Sequence, residues 1–231
     1  VTDVPFPISR EAVLRRREDP SLIGHGAHGP RDIVPGAGHG ETGPASKRVI
    51  VGYGFWIFLL SDIVMFSCFF AAYAVLQGAT AGGPSARDIV DLPRVGIETG
   101  ALLLSSFTCG LSFAATNVRN KLWTQVFLAL TALLGLVFVG LELQEFIELA
   151  ARGATPQRSA FLSAFYTLVG CHGLHVSIGG LWLATMMAQL QVKGFRHEIV
   201  HRLICFNLFW HALDIVWVGV FSMVYLMGAA A

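Results

Sequence analysis

Charge is scarce in this chain: Asp, Glu, Lys and Arg make up only 13% of the 231 residues, about half of what a soluble domain carries. With 54% of the residues apolar, a water-soluble globule is excluded. Neither sign dominates the charge that is present, since 16 basic residues face 15 acidic ones, so no long-range field selects a nucleic acid or an acidic partner. Proline is missing from every long apolar stretch, which counts against the proline-broken helices that transporters often use at mid-membrane. Cysteine is sparse, and Cys68, Cys109, Cys171 and Cys205 each stand alone in a predicted span. No Cys-x-x-Cys spacing suggests a cluster or a redox pair, so they read as small apolar filler. The start of the chain lacks the h-region of a signal peptide.

What the sequence has instead is long apolar runs. Crossing the hydrocarbon core takes roughly 20 mainly apolar residues in a helix, and five stretches reach that length: 50–76, 94–117, 122–150, 159–191 and 203–228. The connections are short and carry the helix breakers, as in GATAGGPSARDIVDLP at 78–93. The expected fold is all-α, a polytopic membrane protein in which residues 47–231 form a five-helix transmembrane domain. Residues 1–46 form a separate polar arm, expected to be flexible, with one charged helix over about 9–19. Its His25, His28 and His39 lack a fixed repeat or accompanying Cys and read as a solvated tail.

Orientation follows from basic residues near the helix ends. Lys47, Arg48, Arg119, Lys121, Lys193, Arg196 and Arg202 lie on the N-terminal side, and Arg87, Arg94, Arg152 and Arg158 lie on the other. The bias places the N-terminus in the cytoplasm and the C-terminus in the periplasm.

An ionisable side chain deep in a bilayer is costly unless it finds a partner, so each is a candidate for function. The spans carry Asp62, Glu98, Glu142, Glu145, Glu148, His172, His175, His211 and Asp214. Residues three or four apart share one helix face, so Glu142 with Glu145, His172 with His175, and His211 with Asp214 each point one way. At about 1.5 Å per residue, Asp62, His172, His175, His211 and Asp214 fall in one layer roughly 20–25 Å from the outer helix ends, with Glu142 and Glu145 shallower at roughly 7–12 Å. Trp210 and Trp217 flank Asp214, near enough in register for an indole N–H to donate to its carboxylate. Gly173 with Ser177, and Gly180 with Ala184, set small residues where helices must approach closely.

Three readings fit these residues. A metal site is one, but di-iron bundles use Glu-x-x-His on two helices and a Glu on each of two more, and these pairs miss that template. Haem ligation is equally weak, because His172 and His175 share a face and cannot clamp both sides of one ring. A proton or solute pathway is the second reading. The third is a satisfied polar network that fixes helix packing and holds lipid headgroups. No Ser or Cys sits in a nucleophile motif with a base, so hydrolysis is the weakest idea.

The strings around these residues are familiar. GFWIFLLSD at 54–62, FVGLELQEF at 138–146, SAFYTLVGCHGLHV at 163–176 and FWHALDIVW at 209–217 resemble subunit III of the haem–copper respiratory oxidases, in the same order on successive helices. Five spans rather than seven, the loop AGGPSARDIVDLP, Glu98 opening the second span, LLSSFTCGL at 103–111 and the closing VYLMG are most similar to the cytochrome bo-type ubiquinol oxidase branch. A bacterial cytochrome c oxidase is the alternative, and a small transporter or proton-pathway protein is the alternative of a different class.

The resemblance implies an accessory subunit of a proton-pumping oxidase in the bacterial inner membrane. It implies partner subunits I and II and a small subunit IV, with haem and copper in subunit I and no cofactor or catalytic residue in this chain. It also implies a cleft that binds phospholipid. Position by position, Asp62 stands where many family members carry Glu, Glu145 matches the third-helix acid, His172 and His175 match the GxHGLHV motif, and His211 and Asp214 match the WHxxDxxW motif.

Overall fold

In the computed structural model, residues 47–230 are described; the arm, with its expected helix over 9–19 and its three histidines, lies outside them. The described chain is helical: α1 (Lys47–Leu76), the short α2 (Ala86–Ile89), α3 (Leu92–Asn117), α4 (Lys121–Ala151), α5 (Ala160–Lys193) and α6 (His197–Val220). A π-helical turn (Phe221–Leu226) and α7 (Met227–Ala230) extend the last helix. Five of these helices are long and apolar enough to cross a membrane, with mean hydropathies of 1.3 to 2.4 in their richest windows. That agrees with the five expected spans.

Local sequence sets the helix ends. Pro93 opens α3, where its missing N–H is no loss. Asn120 caps α4 by accepting from the Trp123 N–H at 3.3 Å, and Ser159 caps α5 by accepting from the Leu162 N–H at 3.2 Å. Gly194 ends α5 at φ 65°, a left-handed conformation that a side chain disfavours. The turn between α3 and α4 bends through Arg119 at φ 56°. Turns this short make α3 and α4, and α5 and α6, antiparallel neighbours.

One short element was absent from the expected layout. Within the 78–93 loop the Ser85 N–H and hydroxyl donate to the Asp88 carboxylate at 2.8 and 2.7 Å, which folds residues 86–89 into a helical turn. These two bonds, from the side chain first, hold the exposed Asp88 carboxyl below its ordinary value, with a smaller contribution from Arg87.

The packing order places the candidate site. Helices α3, α4, α5 and α6 form a closed ring, each touching the next and α6 returning to α3, while α1 docks outside on the α5–α6 seam. Exposure separates the two parts: the most apolar window of α1 is 11% buried, against 44% in α5. An apolar groove of about 400 Å³ runs between α1 and α6, lined by Trp56, Ile63, Phe70, Leu208 and Ile215.

Candidate functional site

The interior of the ring is lined by polar side chains in two groups, and the first is a seam between α3 and α6. Because the two helices run antiparallel, donors spaced along one face of α6 meet acceptors in reverse order on α3. Asn207 Nδ2 donates to the Cys109 carbonyl at 3.2 Å, Trp210 Nε1 to Ser105 Oγ at 3.0 Å, and Trp217 Nε1 to Thr99 Oγ1 at 3.1 Å. His211 Nδ1 lies 2.6 Å from Ser106 Oγ, and Asp214 lies beside the same hydroxyl and the imidazole. A further bond of 2.8 Å between Thr108 and Thr131 ties α3 to α4.

This seam corrects one expectation. The two indoles donate to α3 hydroxyls rather than to Asp214, because the Ser and Thr oxygens of α3 lie directly across the interface while Asp214 lies on the indoles' own helix. The missed partners were visible as a stripe of hydroxyl residues, Thr99, Ser105, Ser106, Thr108, Ser112 and Thr116. Most of these also bond carbonyls of their own helix, a usual way to bury a hydroxyl.

Trp210 is the pin of the ring. Its indole stands over two glycines: a Cβ on Gly135 of α4 would meet it at 3.0 Å, and one on Gly179 of α5 at 3.1 Å, with Phe209 at 2.9 Å. With the Ser105 bond, one side chain of α6 therefore reaches the other three helices of the ring. Gly180 plays no such part, since a Cβ there would meet nothing within 4 Å; with Ser177 and Ala184 it lines an outer groove of about 370 Å³. The close approach expected at Gly180 is made instead at Gly179, the preceding residue.

The second group lies toward the end of the bundle that carries the 78–93 loop. Arg94 donates to Glu148 Oε2 at 2.8 Å and to the Leu141 carbonyl at 3.0 Å, clamping α3 to α4, and its Nε stands 3.6 Å from Glu98 Oε1. Tyr225, carried by the π turn, donates to Glu145 Oε2 at 3.1 Å. Glu142 crosses from α4 to lie with both carboxyl oxygens against the bare Cα of Gly173 on α5. The carboxyl therefore lies beside the residue that follows His172 rather than in a layer apart from it. The depth count from helix ends missed this because it ignored the reach of the glutamate side chain. Arg94 and Tyr225 were not among the expected site residues; only the fold brings them to the glutamates.

The two histidines of α5 have different surroundings. His172 is fully buried and enclosed by Phe66, Phe138 and Trp217, at ring-centroid distances of 6.2, 5.7 and 5.1 Å. His175 is half-buried, and its Nδ1 lies 2.7 Å from the Cys171 carbonyl; a carbonyl only accepts, so Nδ1 carries the proton. Asp62 is half-buried on α1, where it lines a small cavity with Leu59, Phe66, Phe209 and Leu213 and interacts electrostatically with Cys171. Among the described residues no set of three or more His, Cys, Asp or Glu side chains is arranged to hold a metal ion.

Chemically, the described interior is one of buried donors and acceptors spread along the ring. Comparison with known proteins supplies the family. The profile described as Cytochrome c oxidase subunit III matches residues 28–229. Cytochrome bo(3) ubiquinol oxidase subunit 3 of Pseudomonas aeruginosa is 51% identical over 177 residues, 77% of this chain and 85% of that protein. The protein of the same name from Buchnera aphidicola subsp. Baizongia pistaciae is 43% identical over 188 residues, 81% of this chain and 95% of its own length. Quinol oxidase subunit 3 of Bacillus subtilis is 41% identical over 175 residues, 76% and 86% of the two chains. A match that takes in all five spans and both polar groups leaves one conclusion: the chain belongs to the cytochrome c oxidase subunit III family.

Proposed function

We propose that this chain is the accessory subunit III of a bacterial ubiquinol oxidase. The observation that carries the reading is its similarity, at 51% identity across 77% of the chain, to a protein named as subunit 3 of such an enzyme. In this reading, partner subunit I holds the haem and copper, oxidises ubiquinol and reduces oxygen to water. Subunit II, a small subunit IV and bound phospholipid complete the assembly in the inner membrane, with this chain's N-terminus cytoplasmic and its C-terminus periplasmic.

The chain's own contribution is scaffolding. Each indole, amide and hydroxyl of the α3–α6 seam finds its partner inside the subunit, so the ring closes without leaving these groups stranded in hydrocarbon. Asp62, Glu142, Glu145, His172, His175, His211 and Asp214, with Glu98, Trp210 and Trp217, act in packing and not in electron transfer.

Copurification through a tag on this chain tests the reading. The expected result is a multi-subunit complex whose reduced-minus-oxidised spectrum shows haem, with ubiquinol as electron donor. Oxidation of cytochrome c instead would move the chain to the cytochrome c oxidase branch. Recovery without haem-bearing partners would overturn the proposal.

A further inference from the structure

Glu98, Glu142 and Glu145 come from two helices of the ring and are 0%, 3% and 4% exposed. Each interacts electrostatically with at least one of the others, and all three with the fully buried Tyr225. The charged and titratable groups around them are Arg94 and Asp91 from the α3 end, Glu148 from α4, Tyr166 from α5 and Tyr225 from the π turn. Arg94 is the single cation in that set, and its shortest bond goes to the half-exposed Glu148. Full ionisation would leave several negative charges against one guanidinium in a low-dielectric interior, which such an interior does not tolerate.

The hydrogen bonds point the same way. Of the six oxygens on the three inner carboxyls, Glu145 Oε2 has the Tyr225 hydroxyl, while Glu98 Oε1 and Oε2, Glu142 Oε1 and Oε2, and Glu145 Oε1 have no hydrogen-bond partner among the described residues, Glu98 Oε1 having only the 3.6 Å ion-pair contact with Arg94. Among the described residues nothing hydrogen-bonds either oxygen of Glu98, although it is fully buried. Buried acceptors left this way are costly, and the remedy available to a polar buried group is an internal water or a proton of its own. The backbone also departs from the α-helix here: the turn that carries Tyr225 to Glu145 is π-helical, and isolated π turns are frequent where a helix serves a site.

We infer that Glu98, Glu142 and Glu145, gathered about the Tyr225 hydroxyl, form an internal site that binds water and holds protons shared among carboxylic acid groups. A protonated carboxyl is donor and acceptor at once, so protons and bridging water together satisfy oxygens that have no hydrogen bond among the described residues. The ligand class is water with its exchangeable protons, not a metal cation.

Infrared difference spectroscopy on the assembled oxidase at neutral pH tests this. The spectra of Glu98→Gln and Glu142→Gln complexes are each subtracted from that of the native complex. The expected result is a protonated-carboxyl C=O band in both differences that shifts in deuterated water. Carboxylate bands alone in both would overturn the inference, as would a stoichiometric cation in elemental analysis that disappears in either variant. Should neither variant assemble, Tyr225→Phe removes one hydroxyl while keeping the ring. The band of the carboxyl that loses this bond is then expected to move to higher frequency, and a carboxyl region identical to that of the native complex would overturn the site.

Discussion

Neighbouring glycines in α5 differ sharply in what they permit. A Cβ on Gly179 would press on the rings of Phe209 and Trp210 at 2.9 and 3.1 Å, whereas one on Gly180 would touch nothing. Packed aromatic rings do not yield as a flexible chain end does, so Gly179→Ala is expected to destabilise the subunit by about 1–3 kcal/mol. Gly180→Ala should be silent, within about 0.5 kcal/mol. Thermal release of the subunit from the detergent-solubilised complex measures both, and equal behaviour of the two variants would sink the account of Trp210 as the pin. Removing the indole donor tests the same group from its other side. Trp210→Phe removes the donor to Ser105 Oγ, which is buried at 0% exposure and keeps only its own bond to the Leu102 carbonyl, and should cost about 1–3 kcal/mol on the same assay.

Among the elements, the 78–93 loop has the simplest electrostatics. The Asp88 carboxyl is held below its ordinary value of 3.8 by the Ser85 hydroxyl and N–H. A depressed carboxyl adds stability that is present above the unfolded value and is lost as pH falls through the folded one. The α2 turn is therefore expected to stay ordered down to about the ordinary carboxylate range and to open below it. Limited proteolysis of the loop against pH reads this directly, and Asp88→Asn should cleave at neutral pH as the native loop does in acid. Cleavage that does not vary with pH would show that the two bonds do not hold the loop. The seam between α3 and α6 makes a different demand on its elements. Its bonds pair only in the antiparallel register, so the three-residue turns at 118–120 and 194–196 help to set it by making α3–α4 and α5–α6 antiparallel.

At the scale of the molecule, the ring and its outlying helix suggest how damage would spread. Asp214 lies at the α3–α6 seam beside Ser106 and His211, so Asp214→Ala strands groups that hold the ring closed, at about 1–3 kcal/mol. The expected outcome is weaker retention of this subunit in the purified complex with a nearly normal early turnover rate. Abolished turnover in a complex that retains the subunit would assign the residue to an obligatory proton path. Orientation is tested by protease added to right-side-out spheroplasts. A tag at Val1 should survive and one after Ala231 should be removed, and the reverse pattern would invert the topology.

The five helices were legible in the sequence because spanning hydrocarbon imposes a length and a composition that a single chain displays without reference to any partner. The suspicion attached to Glu142, Glu145, His172, His211 and Asp214 was legible for the same reason, since charge in a span stands out. The family was legible from strings that surround those residues. Pairing was not. Which hydroxyl Trp210 meets, which of two adjacent glycines admits it, and how Arg94, Tyr225 and Gly173 come to lie against the glutamates depend on helix rotation and on the π turn near the C-terminus. A 3.6-residue period gives the face a residue occupies on its own helix, but the helix opposite that face, and hence the partner a buried polar group can meet, is decided only when four helices close into a ring.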